Sequence, residues 1–327
     1  MTSLSRRACV ASIVGAGIAA GTGSAFAQQW PARPVTLVVP FPAGASTDVV
    51  ARLLAEKLRT ELGQSFIVEN KVGAGGNIAA SGVARATPDG YTLFVTSAGP
   101  IATNKLLYRN LAYDPLTDFD PIALIGDVNV AVVVHPSVEA RTLAELIAYG
   151  KANPGKLTFG SPGLGLMGHI AGELLQRRAG FQMTHVPYRG SAPLANDLVA
   201  GQVNVAVDFL PGYLPLIQAG RVRALAVTAD TRAPQIPDVP TLQEAGLPGV
   251  NASSWFAMVG PKGLPAPIVE RLSQIVSTYV KSPEALAKLD PIGVRPLGRG
   301  PDAVRAAQAA EIAKWEDVIK AANISLQ

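Results

Sequence analysis

Three stretches of this 327-residue chain combine small residues, hydroxyls and a helix start, as a site for an anion requires. The first is Phe41-Pro42-Ala43-Gly44-Ala45-Ser46-Thr47-Asp48, which follows the apolar run Val35 to Pro40. Its small residues let backbone approach a ligand, and Ser46, Thr47 or Asp48 can cap the helix that follows. A helix start presents free N–H groups and a partial positive charge, both favourable to a carboxylate or phosphate. The same stretch also reads as a plain N-capped turn. The other two are Ser97-Ala98-Gly99-Pro100 and Ser161 to Gly168.

Gly163-Leu164-Gly165-Leu166-Met167-Gly168 spells G-x-G-x-x-G between a strand and a helix, the setting of a dinucleotide fingerprint. The acid expected about 20 residues on is missing, because the next strand ends His185-Val186-Pro187-Tyr188-Arg189. The glycines are therefore read as shaping a loop around a small ligand, with no nucleotide cofactor. No G-x-S-x-G elbow and no nucleophile–base set can be assembled. Cys9 is the only cysteine and His135, His169 and His185 the only histidines, too few for a zinc centre. His169 is read as packing or capping the first turn of a helix, and His135 and His185 as structural. Asp208 closes an apolar strand, where a carboxylate facing a cleft either holds a donor or positions a loop. Asp230 and Asp238 read as turn acids.

These residues need a scaffold of alternating strands and helices. Val35 to Pro40 reads as a strand buried on both faces, and Phe66 to Asn70 and Tyr91 to Thr96 as further strands. Between them lie a helix from about Thr47 to Leu62, with Val50, Leu54, Leu58 and Leu62 at i+4 steps, and a small-residue helix ending near Ala86. After the long apolar stretches 121–126 and 128–135, a second unit begins with a helix over Thr142 to Ala152. Strands follow at 156–160, 183–188, 203–208 and 222–228, with a helix over about 169–178. Trp255 to Val259 is a strand again, and amphipathic helices over 267–281 and 301–322 close the chain. The repetition predicts parallel sheets with helices on both faces, arranged as two facing α/β lobes. A ligand then sits beyond the carboxyl ends of the strands.

Lys and Arg exceed Asp and Glu by only four in the whole chain, with no basic cluster, which excludes a nucleic-acid footprint. The first 27 residues read as an export signal. Arg6-Arg7 form a positive start, Ala8 to Ala27 carry no charge, and Ala25-Phe26-Ala27 fits a cleavage site. The mature chain then begins at Gln28 in the periplasm, free of the membrane.

Motifs along the whole mature chain resemble the tripartite tricarboxylate transporter substrate-binding proteins, the Bug/TctC-like family. They include Pro40 to Asp48, Val68-Glu69-Asn70-Lys71 with Gly73 to Asn77, Pro88-Asp89-Gly90-Tyr91 and Tyr113-Asp114-Pro115. Ala152 to Leu157, His185 to Gly190, Pro237 to Thr241 and Glu311 to Trp315 continue the series. The resemblance implies a type II periplasmic binding protein fold: two parallel-sheet α/β lobes joined by two crossovers around a ligand cleft. Lobe 1 would be 28–128 plus 253–327, and lobe 2 would be 129–252.

It further implies a receptor, not an enzyme, that delivers a small carboxylate to membrane transporter subunits as a monomer. A periplasmic sensing partner and an exported α/β enzyme are the alternatives. Carried over by motif, the ligand residues are Phe41, Ala43, Ala45, Ser46, Asp48 and Ser97 from lobe 1. Lobe 2 supplies Ser161, Leu166, Met167, Gly190 and Asp208. Three positions depart from the family pattern. Gly44-Ala45 replaces Gly-Gly, Leu166-Met167 replaces small hydroxyl residues, and Phe209 stands where Asn is common. The last two make the second-lobe wall more apolar and predict a ligand with an apolar or aromatic body. Alternatively Leu166 and Met167 pack inward behind the loop.

Overall fold

The computed structural model describes residues 30–321 together with 325 and 326. The expected export signal and its cleavage site lie outside these residues. Among those described, no helix is long and apolar enough to cross a membrane.

Two sheets form the frame. The first contains β1 (Val35–Val39), β2 (Phe66–Asn70), β3 (Thr92–Ser97), β4 (Phe119–Val128), β10 (Ser254–Pro261) and β11 (Val294–Arg299), in the order β11-β4-β10-β3-β1-β2. The second contains β5 (Val130–Val134), β6 (Thr158–Ser161), β7 (Thr184–Pro187), β8 (Val205–Phe209) and β9 (Arg223–Val227), in the order β7-β6-β8-β5-β9. Strands β1, β2 and β3 pair in parallel, as do β6, β7 and β8. The strands that carry the chain between lobes, β4, β5 and β10, pair antiparallel with their neighbours. Each lobe is thus a mixed sheet with a parallel part and an antiparallel part. Only Asn129 separates β4 from β5, so the apolar stretch around 121–135 is the first crossover.

Helices cover both faces of each sheet. In order they are α1 (Ser46–Leu62), α2 (Asn77–Ala84), α3 (Asn104–Leu107), α4 (Leu143–Ala152), α5 (Met167–Ala179) and α6 (Ser191–Val199), followed by α7 (Leu214–Gln218), α8 (Ala266–Tyr279), α9 (Pro283–Leu289) and α10 (Pro301–Ala321). The i+4 stripe of α1 buries Val50, Leu54 and Leu58 against β1 and β3, and the left-handed Gly63 stops the helix. Helix α10 braces both lobes. Val304 packs in the first-lobe core, whereas Trp315 and Ile319 pack among second-lobe residues. Buried Glu311 accepts the indole N–H of Trp255 at 3.3 Å and of Trp315 at 2.6 Å, tying β10 to the helix.

Candidate functional site

A cleft of about 630 Å³ opens at the carboxyl ends of the parallel strands of both lobes. Three helix starts line it: Ser46 and Thr47 of α1, Met167 of α5, and Ser191 to Pro193 of α6. Among the described residues no Asp or Glu lines the cleft, and Arg189 is the one charged residue that does. Between these polar points the wall is apolar, with Phe41, Leu166, Met167, Phe209, Phe256 and Ile292. Converging positive helix ends and one guanidinium, without an opposing acid, make the cleft attractive to an anion.

The first-lobe loop owes its shape to Asp48. This carboxylate is 2% exposed, so its partners are protein groups. It accepts the Gly44 N–H at 2.9 Å, Arg52 Nε at 2.9 Å and Asn70 Nδ2 at 2.9 Å. Asn70 Nδ2 also donates to the Phe41 carbonyl at 2.9 Å. Burial pulls the Asp48 pKa upward, but these hydrogen bonds and the Arg52 charge outweigh it and hold the carboxyl below its usual range. The Gly44 and Ala45 amides are occupied within the loop, Ala45 N–H by the Pro42 carbonyl. The amides left for a ligand are those of Ser46 and Thr47, which have no partner inside the helix. Asp48→Ala is expected to cost about 1–3 kcal/mol of folding stability, because it removes the one carboxylate that ties Gly44, Arg52 and Asn70 together. Urea denaturation reads this cost. Anion binding should weaken more in Asp48→Ala than in Asp48→Asn, which keeps one acceptor oxygen.

In the second lobe Leu166 and Met167 both border the cleft at the start of α5, Leu166 half-buried there and Met167 6% exposed and packed mainly in the second-lobe core. Gly190 lines the cleft at a φ of +115°, a conformation that favours glycine, and its N–H is given to the Pro162 carbonyl at 2.8 Å. Its role in the wall is to admit the chain, and the Ser191 and Ala192 amides behind it begin α6.

The structure brings eight of the eleven expected ligand residues to the cleft: Phe41, Ala43, Ala45, Ser46, Ser97, Leu166, Met167 and Gly190. Asp48, Ser161 and Asp208 are outside its lining, each shielded behind it. Ser161 is fully buried, with Oγ 2.7 Å from His185 Nε2. Asp208 is fully buried too, accepting the Phe209 N–H at 2.7 Å and the Tyr213 hydroxyl at 3.2 Å. Of the two readings of Asp208, positioning a loop is the one this geometry supports. Burial raises its carboxyl to about 7, against the opposing hydrogen bonds of Ser191, Phe209 and Tyr213.

Sequence reasoning missed Arg189, Ser191, Phe256 and Ile292 as lining residues. Arg189 lay inside a quoted motif, and its position after β7 was the available signal. Phe256 sits at a register shift of β10 against β4, and no local pattern betrays such a bulge.

Comparison with known proteins places the fold and the family. The model of the tripartite tricarboxylate transporter family receptor matches residues 50–324. Protein BugT of Bordetella pertussis is 37% identical over 316 residues, covering 96% of each chain. Among solved structures, R. palustris Rpa4515 with adipate superposes with a TM-score of 0.87 at 44% identity, covering 91% of this chain and all of that one. MatC from Rhodopseudomonas palustris with bound malate gives 0.81 at 37% identity, covering 88% of this chain and 99% of the other.

Proposed function

This chain belongs to the tripartite tricarboxylate transporter receptor family, a family of binding proteins, not enzymes, and on that premise we propose that its cleft captures a small organic carboxylate with an apolar body and delivers it to transporter subunits in the membrane. The protein then works in the periplasm as a monomer that starts at Gln28. Its lobes span 28–128 with 253–327, and 129–252. The observation that carries the reading is the cleft lining: three helix starts and Arg189 for the anionic end, apolar side chains for the rest. The adipate of one relative and the malate of another support a carboxylate. Closure follows from differential affinity, because a ligand that touches both lobes stabilises the closed state more than the open one.

Leu166 and Met167 set the preference within this class. Citrate would bring charged oxygens against them, and each unpaired buried polar group costs roughly 1–3 kcal/mol. An apolar body instead gains roughly 25 cal/mol per Å² removed from water, and methionine adapts to varied shapes and aromatic faces. Calorimetry with adipate, benzoate, malate and citrate is expected to rank the two acids with apolar bodies above citrate. Affinity near micromolar corresponds to about −8 kcal/mol. The double variant L166T/M167S should weaken the apolar acids and narrow or reverse their lead. Tighter binding of citrate by the wild type, with the order unchanged in the variant, would rule out this preference. Chemical conversion of any bound acid would rule out a receptor.

A further inference from the structure

Two histidines meet beneath the second-lobe loop. His169 in the first turn of α5 and His185 in β7 stack with ring centroids 4.2 Å apart and planes 8° from parallel. Phe159 of β6 stacks on His185 at 4.6 Å. Neither imidazole lines the cleft, yet each grips the loop that does. The Gly165 N–H donates to His169 Nδ1 at 3.1 Å. His185 Nε2 lies 2.7 Å from Ser161 Oγ, itself 3.3 Å from the Gly163 carbonyl oxygen. The first of these bonds sets the tautomer of His169. His169 Nδ1 accepts, so its proton is on Nε2, 4.0 Å from Glu173 Oε1. Ser161 Oγ has one proton to place between the 2.7 Å contact to His185 Nε2 and the 3.3 Å contact to the Gly163 carbonyl, and the two contacts together tie β7 to the loop through Ser161.

We propose that His169 and His185 are positioning residues for ligand capture: as a neutral stacked pair they hold the Ser161–Leu166 loop in its cleft-lining shape, one through Gly165 and the other through Ser161 and Gly163. The consequence for affinity rests on the carboxylate-receptor reading; the consequence for the loop does not. Burial pushes His169 down to about 4, and burial with the neighbouring His169 does the same to His185. The Nδ1 acceptor on His169 therefore persists at neutral pH. A proton added there would replace the bond to Gly165 with two donors facing each other.

The test separates positioning from packing. Nitrogen-15 spectra of histidine-labelled, ligand-free protein at pH 7 are expected to show both rings neutral and His169 protonated on Nε2. Amide exchange at Gly165 should quicken roughly tenfold in His169→Leu, the loss of about one hydrogen bond. His169→Asn should restore protection, because its Oδ1 replaces Nδ1 as acceptor. Leucine fills the site better than asparagine, so a packing role gives the reverse order, and that order would overturn the proposal. A proton on Nδ1 of His169 would overturn it too. Should His169→Leu fail to fold, Ser161→Ala replaces it and is expected to speed exchange at Gly165 and Leu166; unchanged exchange there overturns the proposal. Adipate, benzoate and malate affinities should follow the exchange order, and equal affinities in the variants count against positioning. If none of these acids binds the wild type, the receptor reading fails while the spectra and exchange still decide what the histidines do.

Discussion

Gly168→Ala should cost the protein about 3 kcal/mol or more and displace the start of α5, whereas Gly82→Ala should stabilise it by about 0.5–1 kcal/mol. Both glycines lie inside helices, so intrinsic propensity favours alanine at each. Surroundings decide the sign. A Cβ on Gly168 would stand 2.1 Å from the Val207 carbonyl oxygen and 2.7 Å from Pro162 Cδ. The first belongs to the backbone of the central strand β8 and cannot move aside. A Cβ on Gly82 meets nothing within 4 Å. The shift forced at Gly168 moves Leu166 and Met167, so carboxylate binding should fall with stability. Urea denaturation and calorimetry on both variants measure this. A Gly168→Ala protein with wild-type stability would mean that α5 does not sit on β8 as closely as described.

The same contact explains the G-x-G-x-x-G spacing without a nucleotide. Gly165, at a φ of +73°, turns the chain where a side chain would strike Leu326 and Leu107, and Gly168 lets α5 approach β8. The letters of the motif were visible in the sequence, but what the glycines approach was not, because Val207, Leu107 and Leu326 are distant in the chain. Local patterns served well where they were long or strongly apolar. The VTLVV strand, the i+4 stripe of α1 and the crossover stretch around 121–135 were all legible and stand in the fold. Helix α6 and strand β11 were not. The first has nine residues and opens Ser-Ala-Pro, and the second contains Pro296 and Gly298. Asp208 and Phe209 show the finer limit. Successive side chains on a strand face opposite ways, so the carboxylate and the ring cannot both face the cleft. Phe209 lines it and Asp208 turns into the protein. That one-residue choice depends on how β8 packs, and both options read alike in sequence.

Turned inward, Asp208 should make the stability of this protein depend on pH in a way that Asp208→Asn removes. Its carboxyl titrates near 7 in the folded chain and near 3.8 when unfolded, because burial disfavours the charge. Between those values the folded state holds a proton that the unfolded state has released. The native contribution is therefore fully present below about pH 3.8 and is lost as pH rises through about 7. Asparagine does not titrate, and its amide can donate as the protonated acid does. Tyr213 keeps its phenolic proton throughout, since burial and the adjacent carboxylate drive its pKa far upward. Relative to wild type, Asp208→Asn should gain up to about 4 kcal/mol between pH 4 and pH 8. The buried histidines shift the other way, losing native stability as pH falls from about 6.5 through about 4, but they are common to both proteins and cancel in the comparison. Urea denaturation of the two proteins at several pH values isolates the difference. A difference that stays flat across this range would show that Asp208 is already ionised in the fold. Its hydrogen bonds from Ser191, Phe209 and Tyr213, three residues at the rear of the cleft, would then be charge-assisted at every working pH.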